Sequence, residues 1–295
     1  MFYFITTLRH PSNAKNYQSV LNLLKNTIES VCSQKTQHSY KFLIVCNEIP
    51  DIKVDTSKVE FLAVDFEPPG EGAGSKLSFE SVLKDKGTKL AAGLAWIHQY
   101  NPSKVFIIDA DDWVSRDVVE FVNSNPEVDY WHVDTGYLVN LAEKKSTRKH
   151  GLCRYCGSTY IYNYHKLLNL IGYTGTLNQI LSQDQIIENI DGFGLLYLLG
   201  DHRRQLGFFH RLQEKIIPIP FKAICWILDT GENHSGKTGG SDGVPITAAM
   251  LNEFGIKSFD IPDRKATLME KCKEFIAKTT SRIGWAKTDK TAEKV

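Results

Sequence analysis

Apolar residues fall along this chain in two rhythms, and the expected elements follow from them. Residues 2–8 form a β-branched and aromatic run that ends in the turn signal Arg9-His10-Pro11-Ser12. From 16 to 31 the apolar positions Val20, Leu21, Leu24, Ile28 and Val31 recur at helical spacing. Residues 40–46 read as an apolar strand covered on both faces, 59–64 as a third strand, 86–100 as a helix and 104–108 as a very apolar fourth strand. This β-α-β-β-α-β order predicts a mostly parallel α/β sheet with right-handed crossovers. Beyond residue 115 the rhythm is mixed. Residues 128–135, 158–164, 216–219 and 223–228 read as strands, 182–199 as one long helix and 265–279 as an amphipathic C-terminal helix, with a polar, frayed end from 286 onward. No repeat is visible and no linker separates two compositions. One domain is expected over 1–260, its halves meeting near 115, followed by a C-terminal helix and tail over 261–295.

Composition narrows the function classes. With 35 Lys+Arg against 34 Asp+Glu the net charge is +1, and no basic stripe stands out, so nucleic acid is not an expected partner. An anionic ligand would have to be held locally, by a metal or by backbone N–H groups. A hydrophobic fraction of 42% with 23% charged residues excludes a disordered chain or a coiled coil. No apolar run approaches the roughly 18 residues of a membrane-spanning helix. The opening Met1-Phe-Tyr-Phe-Ile-Thr-Thr enters a β-rich run without the basic and apolar segments of a signal peptide. Six cysteines are sparse for a disulfide scaffold, and a reducing cytoplasm is the expected compartment.

The chemistry concentrates where the fourth strand ends, in Val105-Phe-Ile-Ile-Asp109-Ala-Asp111-Asp112-Trp113. Carboxylates at the C-terminal end of a parallel strand lie where open α/β sheets bind ligands. Asp109 and Asp111, two residues apart, are suited to one hard divalent cation, which would let a nearly neutral chain hold a diphosphate. The competing reading is that Asp111 or Asp112 caps a helix over 116–123. Residues 68–74, Pro-Pro-Gly-Glu-Gly-Ala-Gly, are either a surface excursion or a lid over a ligand.

Ile107-Ile108-Asp109-Ala110-Asp111-Asp112 resembles the DxD motif of GT-A fold glycosyltransferases. The context is similar too: a first strand at the extreme N-terminus, the strand Leu43-Ile-Val-Cys46-Asn47, and the helix start Lys86-Gly87-Thr88-Lys89-Leu90 before the acidic strand. The likeness spans about residues 1–240. It implies a Rossmann-like, mostly parallel sheet flanked by helices, with a nucleotide-binding half to about 115 and an acceptor half over 116–260. It further implies transfer of a sugar from a nucleotide-diphosphate sugar to a glycan, lipid-linked or small-molecule acceptor, with Mn2+ or Mg2+. On that resemblance Asp111 is the main metal ligand, Asp109 faces metal or ribose, and Asp112 shapes the donor site. Thr7, Arg9 and Lys89 are placed on the donor, as are Gly157 and Ser158 in a glycine-containing loop near the donor sugar. The polar loop 229–237 offers His234 as a late metal ligand and Lys237 for phosphate. Asp201, in Gly200-Asp201-His202, matches the place of the general base of inverting enzymes, although His202 stands where that motif carries Asp. Without it, Gly200 and the cations after it read as a helix C-terminus. Asp184 and Glu188 are weaker candidates for the base.

Three other features have two readings each. Cys153-Arg-Tyr-Cys156 invites zinc or redox chemistry, but a zinc site needs further ligands and only His150 is close in sequence. Trp131 is expected in the core, and Trp113 either in the core or beside a sugar ring. Two other functions keep the same acids: a nucleotidyltransferase, which usually carries glycines after its first strand where Thr6-Thr-Leu-Arg9-His10-Pro11 has none, and a sugar-nucleotide or polysaccharide binding module.

Overall fold

The structure is a computed structural model and describes residues 1–73, 77–201, 205–232 and 242–259. Its centre is a seven-stranded sheet. Strands β1 (Phe2–Thr7), β2 (Tyr40–Cys46), β3 (Val59–Ala63) and β4 (Lys104–Ile107) run parallel in the order β3-β2-β1-β4. The helix α1 (Tyr17–Val31), capped by Asn16, connects β1 to β2, and α2 (Phe79–Ile97) connects β3 to β4. Side chains of β4 alternate between two cores: Val105 and Ile107 face α2, while Phe106 and Ile108 join the core under α1. A strand buried on both faces reads as a continuous apolar run, which is why this half follows its sequence pattern closely.

The sheet continues past β4 through one reversed strand, beyond which the last two run with β4 again. After β5 (Trp113–Val114) and α3 (Val118–Asn123), the chain forms β6 (Tyr130–His132), the hairpin β7 (Thr135–Asn140) and β8 (Lys145–His150), and then β9 (Tyr160–Asn163). β9 pairs antiparallel with β4 and β6, placing Ile107, Tyr160 and His132 side by side across three strands. The helices α4 (Tyr164–Leu170), α5 (Gln183–Glu188) and α6 (Gln205–Arg211) follow, then β10 (Ile217–Pro218), β11 (Ile224–Leu228), β12 (Val244–Pro245) and α7 (Ala248–Glu253). β10 extends the large sheet beside β6, while a second sheet has the order β12-β8-β7-β11-β5. The architecture is therefore α/β, with a central, mostly parallel sheet flanked by helices.

Two helical expectations are corrected. The second helix begins at Phe79, not Lys86, because Ser78 Oγ accepts from Ser81 N and caps it about two turns earlier. The long helix expected over 182–199 is broken: α5 ends at Glu188, and a separate π-helical turn spans Gly194–Gly200. Asp191 Oδ2 accepts from Gly194 N at 2.9 Å, so a carboxylate starts the new turn where the old helix would have continued. That turn packs directly on α2, where a Cβ at Gly87 would lie 2.5 Å from Leu195 O. The short β5, the β7–β8 hairpin, α4, β12 and α7 are absent from the sequence reading. The expected C-terminal helix and tail lie outside the described residues. Among the described residues no helix is long and apolar enough to cross a membrane.

Candidate functional site

The acidic stretch bridges the two sheets. Ile108 N still donates to Ile5 O, so the chain stays in the large sheet up to Asp109 and enters the second sheet at Trp113. The turn between is fastened from behind by α1. Thr27 Oγ1 donates to Ala110 O at 2.9 Å, and Ser30 Oγ donates to Val114 O and accepts from Val114 N at 2.7 Å. Gln34 Nε2 donates to Ser115 O at 2.9 Å. These hydrogen bonds fix the backbone of the acids before any ligand arrives.

The three carboxylates part company. Asp112 is fully buried and accepts from Ser158 Oγ at 2.6 Å, Ile227 N at 2.9 Å and Cys156 Sγ at 3.3 Å. It clamps β9 and β11 to the acidic turn. Burial, with the charges of Asp111 and Asp109, holds its pKa well above the ordinary carboxylate range despite those donors. The capping alternative is overturned: α3 starts at Val118, preceded by Asp117 with no side-chain cap, and Asp112 is engaged elsewhere.

Asp109 and Asp111 face a cavity of about 470 Å³, a size suited to a cofactor-scale ligand. Lys86 Nζ donates to Asp109 Oδ1 at 2.5 Å. Burial is the largest influence and works against that ammonium, but the charge and hydrogen bond of Asp109, with Cys156 and Asp111 behind them, together raise the Lys86 pKa. Burial first, and the charge of Asp109 second, push the Asp111 carboxyl up to about 7, against the pull of Lys86 and Arg9. Gly157 lies against the other oxygen of Asp109. A Cβ there would stand 2.4 Å from Oδ2, so only glycine lets the backbone pass this close to the carboxylate. Two hard carboxylate ligands on one cavity wall suit a divalent cation.

Of the residues expected at the site, Thr7, Arg9, Asp109, Asp111, Gly157 and Asp201 line this one cavity, although 192 positions separate Arg9 from Asp201. Asp201 is buried at 3% exposure. Arg9 is held by Glu232, through Nη1 to Oε2 at 3.0 Å and Nη2 to the Glu232 carbonyl at 2.8 Å. Three expected donor contacts, Asp112, Ser158 and Lys89, lie behind the wall instead. Ser158 is buried on Asp112, and its Oγ accepts from Asp109 N. Lys89 is fully buried, donating to Asp85 Oδ2 at 2.9 Å and Leu8 O at 3.0 Å. Burial dominates both members of that pair, raising the pKa of Asp85 and lowering that of Lys89. His234 and Lys237 lie outside the described residues.

Among the wall residues that escaped the sequence reading are Asp85, Lys86, Tyr155, Trp226 and Glu232. The acid–base spacing of Asp85 and Lys89 at i, i+4 was the signal that Lys89 already had a partner and that Lys86 was the available cation. Trp113 and Trp131 are core residues, at 1% and 3% exposure. Asp184 and Glu188 are exposed on α5 and away from the cavity, so the plain helix-face reading describes them. Part of the 68–74 loop borders the site: Pro69 lines the cavity, and Asn13 Nδ2 donates to Gly70 O and Gly72 O.

No family model and no curated protein matches this chain. Among solved structures, residues 1–349 of S. aureus TarS align at 13% identity over 77% of this chain and 60% of that one, with a TM-score of 0.38. The 4-diphosphocytidyl-2C-methyl-D-erythritol synthase of Anaerococcus prevotii aligns at 10% identity over 74% and 86%, with a TM-score of 0.39. A putative nucleotide-diphospho-sugar transferase from Desulfovibrio desulfuricans aligns at 8% identity over 77% and 80%, with a TM-score of 0.35.

Proposed function

We propose that the chain is a glycosyltransferase that moves a sugar from a nucleotide-diphosphate donor to an acceptor hydroxyl, with a divalent cation on Asp109 and Asp111. One observation carries this reading: among the described residues, the cavity wall holds five acidic side chains, Asp85, Asp109, Asp111, Asp201 and Glu232, against two basic ones, Arg9 and Lys86. Such a wall repels a bare diphosphate and attracts a cation-bound one. A bound Mn2+ or Mg2+ would neutralise the diphosphate and stabilise it as a leaving group.

The chain's own residues do the rest. Ser158, Asp112 and the α1 hydroxyls hold the two ligands in place. Lys86 balances charge beside Asp109, and Trp226 and Tyr155 offer aromatic surface to a base or sugar ring. Asp201 accepts the proton of the acceptor hydroxyl as its oxygen attacks the anomeric carbon, which inverts the configuration there. His234 and Lys237 complete the metal and phosphate contacts in this reading.

The test is incubation of the full chain with a panel of nucleotide-diphosphate sugars and Mn2+. Release of nucleoside diphosphate, by transfer or by slow donor hydrolysis, is expected. Release of pyrophosphate instead would make the chain a nucleotidyltransferase, and binding without turnover would make it a sugar-nucleotide binding module.

A further inference from the structure

A second group of metal-binding side chains lies outside the cavity. His132, at the end of β6, Asp134 two residues on, and Cys153 in the turn Leu152–Arg154 bring one ring nitrogen, one carboxylate oxygen and one sulfur within 4.8 Å of one another. None of the three lines the cavity. Their backbones are already joined: Leu152 N donates to Asp134 O at 2.9 Å, and Tyr160 Oη donates to Cys153 O at 3.1 Å. His132 Nδ1 is buried without a hydrogen-bond partner among the described residues. A buried ring nitrogen in that condition is costly unless something supplies the missing partner. The sequence pairs Cys153 with Cys156 and His150; the fold instead turns Cys156 onto Asp112 and groups Cys153 with two residues about 20 positions upstream.

We propose that His132, Asp134 and Cys153 bind a zinc-class transition-metal ion, separate from the divalent cation of the cavity. A nitrogen, an oxygen and a thiolate sulfur form a mixed, borderline-soft set, which suits Zn2+ and does not suit Mg2+ or Ca2+. In a tetrahedral site donor atoms stand roughly 3.5 Å apart, so atoms within 4.8 Å of one another need only a small approach on binding. Cys153 gives up its thiol proton to solvent, and water takes the fourth position. The ion braces the turn that leads directly into Tyr155, Cys156, Gly157 and Ser158, the segment that lines the cavity and holds Asp109 and Asp112 from behind. This inference stands independently of the donor chemistry.

The experiment uses chelator-treated full chain titrated with Co2+ as a spectroscopic stand-in, followed by displacement with Zn2+. Wild type and Asp111→Asn are expected to show a thiolate-to-cobalt charge-transfer band at one equivalent, as is Cys156→Ser. The band disappears in Cys153→Ser, and affinity falls by about tenfold or more in His132→Gln and Asp134→Asn. Should Cys153→Ser fail to fold, the wild-type band and the two affinity losses decide the matter. A wild type without the band overturns the proposal, and so does a band that survives in Cys153→Ser. Unchanged affinity in His132→Gln overturns it as well.

Discussion

The wall of the cavity and the seam behind it are built from neighbouring residues under opposite rules. Along the seam, polar groups are buried and matched: Asp112 with Ser158 and Ile227, Ser30 with both polar atoms of Val114, and Lys89 with Leu8 and with Asp85, whose carboxylate joins seam to wall. On the wall, carboxylates outnumber cations, and burial first, with the charge of Asp109 second, raises Asp111. The difference teaches that adjacent acids in one short motif can serve stability and chemistry separately. It can be broken by substitutions on either side, because wall changes should cost rate and seam changes should cost fold.

The largest effect is expected on the wall. Asp111→Ala should lower Mn2+-dependent turnover at least about 10³-fold, about 4 kcal/mol of barrier, while its melting midpoint stays close to wild type. A variant that retained turnover with saturating Mn2+ would remove Asp111 from the metal site. Next comes the seam. Lys89→Met leaves the Asp85 carboxylate without its buried partner and should cost about 3–4 kcal/mol by denaturant unfolding. If instead stability held and donor affinity alone fell, Lys89 would belong to the wall after all. Asp112→Ala orphans Ile227 N and Ser158 Oγ and should cost about 2–3 kcal/mol in the same assay. The mildest change sharpens the boundary: Gly157→Ala pushes a methyl group toward Asp109 Oδ2 and should weaken Mn2+ binding by about tenfold, with a stability change of about 1 kcal/mol. Calorimetric titration of Mn2+ beside a thermal melt separates the two.

The parallel strands and the tip of β4 were legible because a strand covered on both faces must be apolar throughout, and nothing else in 295 residues ends such a run in three carboxylates. The hairpin was not legible. β8, Lys145-Ser-Thr-Arg-Lys-His150, carries no apolar residue and forms because β7 and β12 pair with it on either side. The sequence pointed to Asp109 and Asp111, and a family likeness to Thr7, Arg9 and Gly157; all five line the cavity. Which acid turned inward could not, because that depended on Ile227 N, 115 residues away. The same long reach hid the partnership of His132 with Cys153, whose sequence neighbours pointed elsewhere.

Glu232 carries a consequence of its own. Its carboxylate, 8% exposed, accepts from the Arg9 guanidinium and from the backbone amides of Lys15 and Asn16, tying the chain beyond β11 to the exit of β1 and the start of α1. Any ligand that recruits Arg9 must therefore break a two-pronged hold and leave a sheltered carboxylate with only two amides for company. A single weakly held anion would compete poorly with that hold, whereas a group presenting two coplanar acceptor oxygens could match the fork it displaces. A ligand drawn to Arg9 would therefore have to exchange places with Glu232, not fill an empty slot.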